Sequence, residues 1–439
     1  MNVVESREGR PLRLRPWVLL VGAAVVVAAI AVAFAVSGSS PSSSGSKSAK
    51  GGSGASAGGS GGSGASFALQ SVTPAAGTQN VPPNTPITLT FSAPVTLHKV
   101  APTLSPTIAG KWVQSNATTL TYALDSPLIP YTQEVVTIPG GAHGLMSTDG
   151  ATLSSSHTVA FGVAAGDTVR LQQLLAELDY LPLGFSPSGA TPAKADLALD
   201  QQGTFSWRWP SLPTELTSQW TQGTMNEITK AAIEDFESQN NIGVDGEAGP
   251  TVWGALINDL INDKPSATPY VYVLVNKTVP QTLTLWNNGT AQYTVRVNSG
   301  APGADTTNGS YAVFEHVRFS DMKGTNVDGS TYDDPNVPYA SYFNGGDALH
   351  GFIRASYGTP QSNGCVEMSY ANAALVWALT PIGTLVTVEG PNFGTAPPPT
   401  TTTTTVPPPA TTTTAPPAPA ATTTTVAPPA PAITTGSTP

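Results

Sequence analysis

Two tracts of this 439-residue chain cannot bury a core. Residues 37–66 are Gly, Ser and Ala with two lysines and one proline, and residues 391–439 are almost wholly Pro, Thr and Ala. Neither carries an apolar period, so the first reads as a flexible linker and the second as a disordered or polyproline-like tail. Compact structure is thereby confined to residues 67–390 and to whatever precedes the linker. At about 150 residues per domain, that interval holds two or more domains.

Before the linker lies an uncharged apolar run of twenty residues, Trp17 to Val36. A helix of that length, at about 1.5 Å per residue, crosses a hydrocarbon core of about 30 Å. Arg7, Arg10, Arg13 and Arg15 precede the run, and the first positive charge after it is Lys47. The positive-inside rule then places residues 1–16 in the cytoplasm and the remainder outside, with one membrane-spanning helix at 17–36. The rival is a cleaved signal peptide, for which Ala33-Phe34-Ala35 has the small-x-small form. The run is longer than the 7–15 or so apolar residues usual there. The expected location is the cell membrane, single-pass, with the folded part on the extracytoplasmic side.

In an exported chain a lone thiol is either inert filler or kept for its chemistry, and this chain has one cysteine, Cys365. Internal disulfides are therefore excluded. The net charge of −10 and pI near 4.9, with no basic patch, argue against nucleic acid as a partner.

The interval 67–390 falls into three segments. In 67–163, short β-branched runs (Ile87–Phe91, Thr119–Tyr122, Glu134–Ile138, Thr158–Phe161) alternate at period two between Pro, Gly and Asn clusters. This is the pattern of an all-β sandwich. The stretch VTPAAGTQNVPPNTPITLTFSAPV resembles bacterial Ig-like modules, which serve as spacers. In 164–262 the period becomes helical: Val169, Leu171, Leu174, Leu175 and Leu178, then Ile228, Ala231, Ala232, Ile233 and Phe236. Asp245-Gly246 supplies a turn and Gly249-Pro250 a helix start. LQQLLAELDY and FESQNNIGVDGEAGPTVWGAL resemble the two ends of a small helical peptidoglycan-binding domain. Between them, 185–222 reads as an insertion carrying Phe205, Trp207, Trp209 and Trp220. Those aromatics either pack a larger core or form a sugar-stacking face. In 268–390 strands return at Tyr270–Val275, Gln281–Trp286, Gln292–Asn298 and Leu385–Val388. Asn287-Asn288-Gly289 is a hairpin signal, and one late helix covers Tyr370–Leu379.

The segment ALHGFIRASYGTPQSNGCVEMSYANAALVWAL, residues 348–379, places Cys365 fifteen residues after His350. Ser362-Asn363-Gly364 is a small-residue loop, and the helical pattern that follows suggests that the thiol stands near a helix N-terminus. The aligned backbone dipoles there would lower its pKa. Gly364 permits a tight turn, backbone N–H groups could face a developing oxyanion, and His350 could take the thiol proton. Taken singly, each residue also has a purely structural reading.

Together these residues resemble the YkuD-type L,D-transpeptidase catalytic domain. Its pattern is His-Gly followed by Ser-His-Gly-Cys-(Ile/Val)-(Arg/Asn)-(Met/Leu). Here it reads His350-Gly351 and then Ser362-Asn363-Gly364-Cys365-Val366-Glu367-Met368. NSGAPGADTTNGSYAVFEHV, YASYFNGGDALHGF and SYANAALVWALTPIGTLVTV resemble the family's flanking segments. Asn363 replaces the motif's second histidine, and Glu367 stands where Arg or Asn is usual. The resemblance implies a multidomain chain: a mainly-β YkuD-like catalytic domain preceded by the helical peptidoglycan-binding-like domain and the Ig-like sandwich.

It further implies Cys365 as nucleophile and His350 as general base. Gly351 would orient His350 through its carbonyl, and Gly364 and Cys365 N–H groups would form the oxyanion site. Ser362, Asn363, Glu367, Tyr342 and Phe343 would contact substrate, with strand packing the competing reading for Tyr342 and Phe343. The implied partners are peptidoglycan stem peptides and glycan, and the product is a 3→3 cross-link. No cofactor or metal is called for. Two rivals stand: a catalytically degenerate wall-binding scaffold, and a wall hydrolase or protein-to-wall transferase with the same Cys–His pair.

Overall fold

The computed structural model describes residues 66–97 and 100–394, all within the unit Gly64–Pro439. The expected membrane span, Trp17–Val36, lies outside the described residues, as do most of the linker and the tail from 395 onward. Among the described residues no helix is long and apolar enough to cross a membrane.

Residues 66–163 form the expected strands. An antiparallel sheet runs in the order Leu69–Thr73, Ile87–Phe91, Thr119–Leu124, Gly110–Asn116, and a second in the order Thr103–Ser105, Gln133–Ile138, His157–Gly162. Alternation decides what each strand buries. Ile87, Leu89 and Phe91 point inward from one sheet, and Val136, Ile138 and Phe161 meet them from the other.

Glu134 shares the inward phase of Val136 and Ile138, so a carboxyl group sits fully buried in the sandwich. Thr132 Oγ1 donates to one of its oxygens at 3.0 Å, and the other has no partner. Burial pushes its pKa from 4.5 up to about 7. The folded state therefore holds this proton more tightly than the unfolded chain. Its contribution to stability is complete below pH 4.5 and is lost as pH rises to about 7. Glu134→Gln should match the wild type in denaturant unfolding at pH 4.5 and exceed it at pH 8 by roughly 2–3 kcal/mol. Equal stabilities at pH 8 would refute this assignment.

Residues 164–262 hold three main helices, Thr168–Glu177, Glu227–Gln239 and Pro250–Ile261. Asp167 and Asn226 cap the first two through their side chains, and Pro250 starts the third after Gly249. The insertion forms an antiparallel hairpin, Leu183–Pro187 with Gly203–Trp207. Its aromatics pack against the helical core and one another. Phe205 lies 5.1 Å from Phe185 and 5.0 Å from Trp220, and Trp209 lies 6.2 Å from Tyr270. Phe205, Trp207, Trp209 and Trp220 are all half-buried, packing one side against the helical core and leaving the other exposed.

The strand Val271–Asn276 explains how this segment joins the next. Val271, Val273 and Val275 face the core of the catalytic-sized segment, while Tyr272 and Leu274 enter the core of the helical one. A strand apolar at every position is a strand covered on both faces. The two segments therefore share this strand, each packing its own core on one face of it.

Residues 268–390 build two sheets. The first is mixed, in the order Thr290–Arg296, Thr282–Asn287, Val271–Asn276, Leu385–Glu389, Gly309–Ala312. Asn288 and Gly289, at φ 44° and 74°, make the hairpin turn that the sequence signalled. The second sheet runs Glu315–Thr325, Thr331–Asn344, Asp347–Gly351, Val366–Met368, with the last pair parallel. The helix Tyr370–Trp377, capped by Ser369, packs on this sheet.

Candidate active site

The parallel pair Asp347–Gly351 and Val366–Met368 builds the site. Its register sets His350 opposite Glu367 and leaves Cys365 at the entry of the second strand. Cys365 is half-buried and His350 is buried. Both line one cleft of about 160 Å³, together with Asn363, Arg354, Glu367 and, from the long hairpin, Asn326, Tyr332 and Asp334.

His350 Nδ1 lies 3.2 Å from the Gly351 carbonyl oxygen. A carbonyl only accepts, so Nδ1 carries the proton and Nε2 keeps a lone pair. Burial lowers the imidazole pKa, the Gly351 carbonyl opposing it, so His350 is a neutral base at pH 7.

The surroundings of Cys365 differ from the sequence expectation. Val366–Met368 is a strand, and the helix begins only at Tyr370. The thiol is therefore not at a helix N-terminus and gains nothing from the macrodipole, which acts within the first turn. Burial pushes it up to about 12; the Ala348 N–H favours the thiolate, and the Asp347 and Glu367 carboxylates oppose it. Its hydrogen is directed at the Gly346 carbonyl, 3.6 Å away. The resting pair is thus a thiol and an imidazole, both neutral.

The preceding loop is held from within. The buried Ser362 Oγ donates to the Cys365 carbonyl at 2.5 Å and accepts from the Gly364 N–H at 3.3 Å. Ser362 thus shapes the loop, and the Gly364 N–H is already engaged. Of the two proposed oxyanion donors, only the Cys365 N–H has no acceptor among the described residues. Gly364 adopts φ 114°, and a Cβ there would collide with the Asp347 carboxylate. Asn363 is exposed, and its Nδ2 donates to Asn326 Oδ1 of the long hairpin at 2.7 Å.

Glu367 does not stand open to a substrate. Arg354 Nε and Nη2 donate to its two oxygens, each at 2.7 Å, in a bidentate pair. The guanidinium also lies 4.6 Å above the Phe352 ring and keeps 31% of its side-chain exposure. Tyr342 and Phe343 must be corrected: neither lines the cleft. Phe343 is in the core beside Tyr311, and the Tyr342 hydroxyl pairs with Ser320 at 2.8 Å. Adjacent residues of a strand face opposite sides of the sheet, so Phe343 enters the core while Tyr342 stands on the other face, beside Ser320.

Sequence reasoning passed over Arg354 and Asp347, although both stand in the quoted motifs, in HGFIRAS and GGDALHGF. Nothing in the spacing shows that Arg354 folds back over Glu367. Asp347 is buried enough to be pushed up to about 6, and it flanks Gly364 and the thiol. Removing its charge should ease ionisation of Cys365. Asp347→Asn is expected to be alkylated by iodoacetamide roughly threefold to tenfold faster at pH 8. The single cysteine makes the assay specific; an unchanged or slower rate would rule out this influence of Asp347.

Residues 270–388 match the YkuD family, the L,D-transpeptidase catalytic domain, and residues 65–163 match the bacterial Ig-like domain family. No curated protein matches the chain in sequence. Among solved structures, an L,D-transpeptidase from Mycobacterium smegmatis is 14% identical, covering 74% of this chain and 99% of its own, with a TM-score of 0.26. L,D-transpeptidase 3 from Mycobacterium tuberculosis, in complex with a faropenem-derived adduct, is 15% identical over 74% and 98%, with a TM-score of 0.26. The catalytic domain of an E. faecium L,D-transpeptidase is 24% identical over 27% and 96%, with a TM-score of 0.25.

Proposed function

We propose that the segment 268–390 is a cysteine-dependent L,D-transpeptidase acting on peptidoglycan stem peptides. The observation that carries this reading is the placement of Cys365 and His350 in one cleft, at the start of one strand and within its parallel neighbour, in the region that matches the YkuD family. In the proposed reaction Cys365 Sγ attacks the carbonyl of the L-centre in the third residue of a donor tetrapeptide, while His350 Nε2 takes the thiol proton. The Cys365 N–H faces the oxyanion. Collapse expels the terminal D-alanine, whose amine receives the proton from His350, and leaves a thioester on Cys365. The side-chain amine of a second stem then attacks that thioester, gives up a proton to His350 and forms the 3→3 amide, restoring the thiol.

The reading extends to the other segments. The helical region 164–262 would engage peptidoglycan, the Ig-like sandwich would act as a spacer, and residues 17–36 would hold the chain in the membrane with the cleft facing the wall. Tethering raises the effective concentration of a site at its polymer. A second reading, a wall-binding scaffold without turnover, is favoured by the burial that, with the Asp347 and Glu367 carboxylates, keeps Cys365 protonated.

Intact mass of the whole chain after incubation with a carbapenem separates the two. A single adduct, absent from Cys365→Ala, supports the enzyme. No adduct on folded protein supports the scaffold. Muropeptide analysis with a tetrapeptide donor then distinguishes transfer, which yields 3→3 dimers, from hydrolysis, which yields tripeptides alone.

A further inference from the structure

A second set of buried polar groups stands behind the loop that carries the thiol. Lys277 is fully buried, yet its ammonium is outside the proposed chemistry. Its Nζ donates to the Thr306 carbonyl at 2.7 Å and to Asn392 Oδ1 at 2.8 Å. Thr306 is also fully buried. Its hydroxyl accepts from the Gly300 N–H at 2.9 Å, which leaves its own proton for the Gly364 carbonyl, 2.6 Å away. Residues 390–394 close the arrangement from outside. The Phe393 N–H donates to Asp305 at 2.9 Å, and the Gly303 N–H donates to the Gly394 carbonyl at 2.7 Å.

The consequence follows from peptide geometry. In a planar trans peptide the carbonyl and the following N–H point in opposite directions. Holding the Gly364 carbonyl against Thr306 therefore turns the Cys365 N–H away from Thr306. That N–H is the one left without an acceptor among the described residues. Gly364, at φ 114° and with no Cβ, is where this peptide would otherwise rotate most freely. A buried ammonium left without partners is costly, so the clamp that satisfies Lys277 also keeps Thr306 in place.

We propose that Lys277 and Thr306 are positioning residues that, with Asn392, aim the Cys365 N–H at the oxyanion of the acylation step. The proposal rests on the transpeptidase reading and adds the device that preorganises its oxyanion site. It also makes residues 390–394, at the root of the Pro/Thr tail, part of that device.

The test compares two reactions of Cys365 in the full chain. Acylation by a carbapenem passes through an oxyanion; alkylation by iodoacetamide at the same thiol does not. Removing an oxyanion donor costs about 10²- to 10³-fold. A donor that is misaimed should cost less, so Thr306→Val and Lys277→Met are expected to slow first-order acylation about tenfold to a hundredfold. Carbapenem affinity and alkylation rate should stay within about twofold of wild type, and Thr306→Ser should restore acylation. Asn392→Ala sits at the exposed end of the clamp and covers the case in which the buried replacements do not fold. It should show the same selective loss, about threefold to tenfold. Equal acylation rates in the folded variants, or parallel losses in both reactions, would overturn the positioning role alone. A wild-type chain that takes no adduct would remove the transpeptidase reading and this proposal with it.

Discussion

Replacing His350 by glutamine slows acylation of Cys365 by about 10²- to 10⁴-fold at pH 7, the usual worth of a positioned base. The reason lies in the thiol. Pushed up to about 12 by burial, it rests as a thiol rather than a thiolate at pH 7, so a rate that depended on free thiolate would be slow. A neutral imidazole in the same cleft removes that dependence, because the proton can leave as the carbon–sulfur bond forms. The pH profile follows with a definite sign. Burial holds the pKa of His350 below its ordinary 6.5, so the wild-type rate rises through the acid range and levels off at neutral pH. Without the base, the residual rate climbs about tenfold per pH unit, so the gap between the two proteins narrows as pH rises. A variant that acylates at the wild-type rate at pH 7 would show that His350 is not the base.

Arg354→Ala destabilises the folded chain by about 3–5 kcal/mol in denaturant unfolding, the cost of stranding a buried charge. Glu367 keeps only 5% of its side-chain exposure, and both its oxygens are engaged by Arg354. Removing the guanidinium leaves the carboxylate in the sheet, directly across the strand pair from His350. The loss should be largely recovered in the double variant Arg354→Met/Glu367→Leu, which removes the stranded charge as well. The single variant also perturbs the base. Arg354 holds the His350 pKa down and Glu367 holds it up. Deleting Arg354 alone therefore raises the pKa of His350 and moves the acid limb of the acylation profile to higher pH. A single variant as stable as wild type, with an unmoved acid limb, would mean that the pair is a surface contact of little weight.

The departures at Asn363 and Glu367 take on different meanings once folded. In the sequence both are substitutions in a motif, and both suggest altered substrate contact. In the structure Glu367 is the partner of Arg354, thirteen residues earlier in the chain and unremarkable there. Asn363 reaches Asn326 in a hairpin whose strands carry no clear apolar alternation. That hairpin, Glu315–Thr325 with Thr331–Asn344, was the main element not legible beforehand. Its outer half is largely exposed and polar, so its pairing comes from backbone hydrogen bonds and sheet register, which leave no hydrophobic period to read.

By itself the sequence determined where the chain can fold and which residues are the candidates for its chemistry. Period-two runs, helical periods and the Asn-Gly turn are local signals, written in the residues that form them, and they placed most strands and helices within a few positions. The choice of Cys365 and His350 as candidates was equally local, since one cysteine and a short motif leave few alternatives. The tertiary structure decided the environment of those residues. It put a strand rather than a helix after Cys365, set acidic groups around the thiol and closed Glu367 with Arg354. It buried Phe343 in the core, engaged the Tyr342 hydroxyl with Ser320 and joined two segments through the two faces of Val271–Asn276. Each of these depends on contacts between residues distant in the chain, and burial and charge at such contacts are set by register and packing, on which local composition is silent.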